Sequence, residues 1–422
     1  MTRSLSSAHG KRVLINRDFA WLWAAQATSS FGEYLLASTV TVWLITDLAA
    51  GEPELPALVS AVVVTSTLPR LVVAPLVGVL VDRWRAGRVM VSADLIRFAL
   101  LLPMLAIAAR GGDALVIVAL LVTLTLIGAA SQFFLPARAA ALQALLPEDR
   151  RADAAGKMMF AAVGIAVIAT SAGPALYALL GPLPALAVNA LTFALSAVCV
   201  SKVEGARSAR PDADAARRYW PEFVAGLFVA WRTPSIRLVI VGVSVYGLSL
   251  GINNSVLALF ALGHLGLTPA QYGVVSGAFS LGGLAGSVLA PRLAAVVTPR
   301  AAFLAGLGSM GAVYVAYSQV RGFEAAVALM GIAGIAFSLY VVAQGPILQA
   351  ATPPGFMGRV TAITTPAVAL TSLLGTGATG WLLSVVRDAR PAAYGNAILV
   401  GALLLCLGAS AMAAGGRTAR RG

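Results

Sequence analysis

Gly78-Val79-Leu80-Val81-Asp82-Arg83-Trp84-Arg85-Ala86-Gly87-Arg88 closes one long apolar run and opens the next. A turn this short, bounded by glycines, has to hold two long apolar segments close together. It also keeps one acid and three arginines at a single surface. Outward from it, apolar runs recur along the whole chain. The 422 residues are 59% hydrophobic and 11% charged, against about 25% charged in soluble proteins. Runs repeatedly reach the roughly 20 residues a helix needs to cross a bilayer.

Turn and charge signals divide the chain into twelve expected spans. They fall near residues 19–46, 56–81, 89–109, 114–146, 157–180 and 182–200, then 236–262, 270–290, 301–319, 324–350, 360–386 and 393–414. The fourth and tenth are long for a span and are expected to continue as helix beyond the membrane. Residues 201–235 form the one long polar insert, a linker between an N-terminal bundle (1–200) and a C-terminal bundle (236–422). No cleavable leader is expected, because the first apolar run is too long for one. That run should stay as an anchor. Cys199 and Cys406 lie inside apolar runs and are expected as inert thiols without a disulfide.

The formal charge of +13 reads as topology, with no nucleic-acid partner. With the N-terminus cytoplasmic, 24 Lys/Arg fall on the cytoplasmic side and four on the other. Cationic loops stay inside, so both termini and the linker are expected in the cytoplasm of a cell with this chain in its inner membrane. The halves also echo each other. Leu142-Gln143-Ala144 with Pro147 recurs as Leu348-Gln349-Ala350 with Pro353, at a constant offset of 206.

The G-x-x-x-D-R-x-x-x-G-R pattern at Gly78–Arg88 resembles the loop between helices 2 and 3 of the major facilitator superfamily of secondary transporters. Asn16-Arg17-Asp18-Phe19, Gln26, Ser30, Gly32-Glu33, Asp94-x-x-Arg97 and Phe134-Leu135-Pro136-Ala137-Arg138 are similar to its bacterial macrolide-efflux and enterobactin-exporter subgroup. The resemblance implies an all-α membrane fold of twelve helices in two pseudo-symmetric six-helix bundles. It also implies that Gly78, Asp82, Arg83 and Arg88 serve an inner gate. The chain departs from drug/proton antiporters in two places. Gly173-Pro174 is all that remains of their signature in span five, and span four has no arginine in its apolar middle.

Ionisable groups inside the hydrocarbon are costly and so mark function. Four stand out: Glu33, Arg70, Asp94 and Arg97, all in the N-terminal half. Gln26, Ser30 and Glu33 share one helical face, which should line protein or a water-filled cavity. Glu33 is either a proton-coupling group or the static partner of Arg70, which lies at similar depth by helix rise. Asp94 and Arg97, three apart, are neighbours on one helix face and read as a gating or structural ion pair, with Asp94 a second coupling candidate. The C-terminal half offers neutral candidates for the substrate cavity: Tyr246, Asn253 and Asn254. The asparagine pair suggests either a locally unwound helix or packing hydrogen bonds. Gly273/Gly277 and Gly282/Gly286 have the spacing of helix-packing glycines.

No phosphate-cradling Gly-Lys-Ser/Thr appears, and His9 and His264 are far apart. Enzymatic chemistry, a cofactor and a metal are not expected. The leading expectation is a monomeric secondary transporter in the lipid bilayer, exporting a lipophilic or amphipathic drug-like molecule in exchange for protons. The alternatives are a siderophore or metabolite carrier of either direction, and a transporter-like sensor or assembly protein.

Overall fold

The computed structural model describes residues 15–73, 77, 84–205, 227–228, 230–353, 357–385 and 392–418. Among these, twelve long helices follow one another without a strand. They are α1 (Arg17–Trp43), α2 (Leu55–Val72), α3 (Ala86–Arg110), α4 (Asp113–Leu145), α5 (Glu148–Leu180) and α6 (Pro182–Ser201) in the first half. The second half holds α7 (Pro234–Leu259), α8 (Pro269–Val296), α9 (Pro299–Tyr317), α10 (Phe323–Ala351), α11 (Met357–Val385) and α12 (Ala392–Thr418). Nine stretches among the described residues are long and apolar enough to cross a membrane by length and composition alone. α1 is not among them, because Gln26, Ser29, Ser30 and Glu33 interrupt its apolar surface.

Local sequence sets the helix ends. The side chain of Asn16 accepts from the Phe19 amide at 2.7 Å and caps α1, satisfying a donor that has no partner within the helix. Thr268 and Gln271 form a reciprocal box at the start of α8. Gly181, at φ 80°, makes the sharp turn from α5 into α6, a conformation side chains resist. α5 begins nine residues before the expected span. Its charged first turns continue the helix where hydropathy alone sees a loop.

Two six-helix bundles pack with the same internal pattern. In the first, α1 lies on α5 and α6, α3 on α4 and α6, and α2 on α4. In the second, α7 lies on α11 and α12, α9 on α10 and α12, and α8 on α10. Adding six to each helix number converts one set into the other. The bundles meet through α2 with α11 and α5 with α8, and the same operation exchanges these two contacts. α1 and α7 even end alike, each in one wide π turn, Leu44–Leu48 and Phe260–His264.

Each helix reverses the one before it. Residues 17, 86, 146–147, 201 and 234 therefore lie at one face, the linker face, and residues 49–54, 111–112, 181 and 265–268 at the opposite one. The apolar cores show where the bundles close. One cluster belongs to the first bundle alone and lies near the linker face, around Phe19, Met90 and Val200. A second belongs to the C-terminal half. The third, at the opposite face, mixes Trp43, Leu44 and Leu186 with Ala258 and Leu259. Glycines allow close approach at this end. A side chain at Gly380 or Gly277 would collide with Ser60 or Ser171 across the bundle boundary, and one at Gly273 would stand 2.7 Å from the Ser171 carbonyl. Gly282 and Gly286 instead allow α8 to approach α10 within the second bundle. The bundles are therefore sealed together at the face away from the linker.

Candidate functional site

Arg97 sits at the centre of the first bundle with a side chain wholly removed from solvent. α3 carries it inward together with Asp94, one turn back along the same face. Its Nη1 lies 3.2 Å from Asp94 Oδ1 and 3.2 Å from Glu33 Oε1 on α1, and donates to Ser29 Oγ at 2.8 Å. Ser196 on α6 donates to Asp94 Oδ2 at 2.6 Å, and Ser131 on α4 to Glu33 Oε1 at 2.9 Å. Phe134 and Phe193 enclose the guanidinium, each ring centroid 5.2 Å from Cζ. Such faces attract a desolvated cation.

Two properties of this cluster matter chemically. One guanidinium faces two carboxylates, so the ionised cluster carries one excess negative charge inside apolar surroundings. The hydrogen-bond arithmetic is also unbalanced. Nη1 has two hydrogens and three acceptors within 3.2 Å, while Nε and Nη2 are buried without a partner. Two hydrogens cannot give each of three acceptors a full bond.

The two acids are not equivalent. Asp94 is 0% exposed, whereas the Glu33 side chain is 39% exposed. Glu33 opens on a cleft of about 190 Å³ that also borders Tyr34, Ser66, Arg70 and Gln132. Arg70 thus faces the same cleft but makes no ion pair with Glu33; of the two readings of Glu33, the static pair with Arg70 is not formed, and Glu33 pairs with Arg97. The reason is packing. α2 lies on α4 and only grazes α1, so equal depth in the membrane does not make the two residues neighbours.

One turn or two along α1, Gln26 Nε2 donates to Ser30 Oγ at 2.6 Å, and Arg138 on α4 donates to Gln26 Oε1. In the second bundle the polar cluster has an aromatic counterpart. Phe303 and Tyr340 stand 206 positions after Arg97 and Phe134, and their rings are 5.2 Å apart. Tyr246 joins them 4.9 Å from Tyr340, and Phe337 lies 5.7 Å from Tyr246. Where one half places a cation between phenyl rings, the other stacks rings alone. α7 runs unbroken through Asn253 and Asn254, so no helix unwinds there; the irregular turn comes later, at Phe260–His264. Asn253 is buried with its Oδ1 unpartnered beside Gly401, and Asn254 is exposed. Neither stands with the charged cluster.

Gly78, Asp82 and Arg83 lie outside the described residues; Arg88 opens α3, exposed at the linker face. Cys199 and Cys406 are free thiols, the first buried and the second half-buried. Sequence reasoning missed Ser29, Ser131 and Ser196, and quoted Arg138 in the span-four motif without giving it a place in the site. Each was visible as a polar residue inside an apolar run, but serines there are common and only the third dimension joins these.

Comparison with known proteins agrees with this architecture. The sequence pattern of the family described as transmembrane secretion effector matches residues 12–419. The MFS-type transporter YkuC of Bacillus subtilis (strain 168) is 25% identical over 377 residues, covering 84% of this chain and 83% of YkuC. The multidrug efflux pump Tap of Mycolicibacterium fortuitum is 27% identical, covering 72% and 75%. Among solved structures, a point mutant of the nucleoside transporter NupG superposes with a TM-score of 0.75 at 12% identity, covering 93% of this chain and 99% of NupG. A bacterial homologue of the iron transporter ferroportin, in its inward-facing state, gives 0.71 at 14% identity, covering 93% and 99%. At such identities these likenesses concern the fold alone. The chain belongs to the transmembrane secretion effector family, within the major facilitator superfamily of transporters, and is not an enzyme.

Proposed function

We propose that this transporter exports a lipophilic or amphipathic small molecule in exchange for protons, by alternating access. The observation that carries the reading is the oversubscribed Arg97 Nη1, shared by a sealed acid and an acid at a cleft. A proton arriving on Glu33 cancels the excess negative charge of the cluster. It also leaves Nη1 with two acceptors, Asp94 and Ser29, for its two hydrogens. Glu33 is then free of α3. Loss of the proton draws it back. Protonation thereby removes one of two links between α1 and α3, leaving the one through Ser29, and α1 packs on α5, one of the helices that meet across the bundle boundary. Asp94 keeps its two serine donors and serves as the permanent counter-ion.

The half-buried aromatic surface around Tyr246 and Phe337 suits an apolar or cationic substrate, and the relative Tap bears the name of a multidrug efflux pump. The charge asymmetry of the loops supports cytoplasmic termini. The molecule would then be closed on the outer side. The test is dye export by the purified protein in proteoliposomes. With an imposed pH gradient, ethidium should be moved against its gradient, and a protonophore should abolish the movement. Export at an unchanged rate without a proton gradient would overturn the coupling.

A further inference from the structure

We infer that the start of α3 is a binding site for the headgroup of an anionic phospholipid. Two cavities flank this helix end, of about 710 Å³ and about 460 Å³, and Arg85, Arg88 and Ser92 line both. The larger lies between α3 and α4 and continues over Val89, Ile96 and Phe133. The smaller reaches Val200 and Ser201 on α6. Among the described helices α3 packs chiefly on α4 and α6, which leaves its remaining surface available to the membrane. Ile96 and its neighbour Leu95 are each about half exposed there.

Among the described residues, the chemistry at the mouth of these cavities is cationic. Arg85 and Arg88 are exposed, and neither makes an ion pair among the described residues. The N-cap of α3 is Arg85 itself, and among the described residues no side chain caps the first amides. Those amides add the positive end of the helix to the two guanidiniums. Arginine forks match phosphate oxygens. Trp84, 52% exposed beside them, has the amphipathic ring that settles at headgroup level. A phosphate therefore meets two arginines at the interface. The chain below it meets an apolar groove leading into the bilayer. A free inorganic anion would use the arginines and leave the groove empty, so the groove favours a lipid.

The test is binding of phosphatidylglycerol to the purified full-length protein in mild detergent, by native mass spectrometry. The wild type should retain phosphatidylglycerol in preference to phosphatidylcholine. Arg85→Gln with Arg88→Gln should weaken that retention about thirtyfold, taking roughly fivefold for each arginine near an anionic surface. An equal affinity for both lipids, or an unchanged affinity in the double variant, would overturn the site. So would displacement of the lipid by millimolar inorganic phosphate, which would mark a free-anion site. A readout on the folded wild type guards against a variant that fails to fold. Phosphatidylglycerol with brominated acyl chains should quench part of the tryptophan emission, and Trp84→Phe should remove that part. Identical quenching with and without Trp84 would contradict the placement.

Discussion

Removing the guanidinium should expose how unequal its two acids are. In Arg97→Leu, Asp94 keeps donors from Ser196 and Ser29 but loses its only ion-pair partner among the described residues while 0% exposed. Stranding one member of a buried pair costs about 3–5 kcal/mol. Glu33 also loses its cation, but it is 39% exposed and keeps Ser131. Its share is that of a solvated pair, about 0–1 kcal/mol. The cost therefore resides almost entirely on Asp94, and the rescue should be lopsided. Adding Asp94→Asn to Arg97→Leu should recover most of the loss, about 3 kcal/mol. Adding Glu33→Gln should recover less than about 1 kcal/mol. Equilibrium unfolding in mixed micelles measures both, as two double-mutant cycles. Equal rescue by the two acids would refute the division into a sealed counter-ion and an accessible acid. A negligible cost for Arg97→Leu would refute the burial argument itself.

Other expectations concern the moving parts and the topology. Gly277→Leu should collide with Ser171 and hold the bundles apart at the face away from the linker. A cysteine at Ser280, with Cys199 and Cys406 replaced by serine, should then label faster with an impermeant maleimide from that side; unchanged labelling would count against closure there. Asp82→Asn should leave insertion and abundance intact but slow transport, through the gate role that the family resemblance implies; a normal rate would show that this loop has no such role here. A reporter fused at residue 215 should be cytoplasmic, as the charge asymmetry requires, and a signal from the outer side would reverse the orientation.

The fold was legible in the sequence because the bilayer makes it so. Apolar runs of fixed length, polar turns and an offset repeat specify helices and their duplication before any packing is known. The exceptions are physical. The start of α5 is charged yet helical, so hydropathy placed it nine residues late. The site was half legible. Glu33, Asp94 and Arg97 stood out as charges where charge is costly. Their grouping did not, because helix rise gives depth and says nothing of which helices touch. Arg70 matched Glu33 in depth, but α2 rests on α4, and the guanidinium that reaches Glu33 comes from α3. Ser29 lies beside the face through Gln26, Ser30 and Glu33, and only the reach of the Arg97 side chain from α3 brings it into the cluster. Asn253 and Asn254 suggested a broken helix, yet helix hydrogen bonding survives both, since a polar side chain need not disturb the backbone.

The most direct test of proton coupling at Glu33 is to compare wild type and Glu33→Gln in proteoliposomes, reading two quantities on one preparation: ethidium accumulation under an imposed pH gradient, and ethidium exchange without one. The amide keeps the shape of the side chain and removes the charge. We expect the variant to exchange ethidium at near wild-type rate while failing to accumulate it, because the bundles still move but no proton sets their direction. Accumulation equal to wild type would place the coupling proton elsewhere and contradict the role assigned to Glu33.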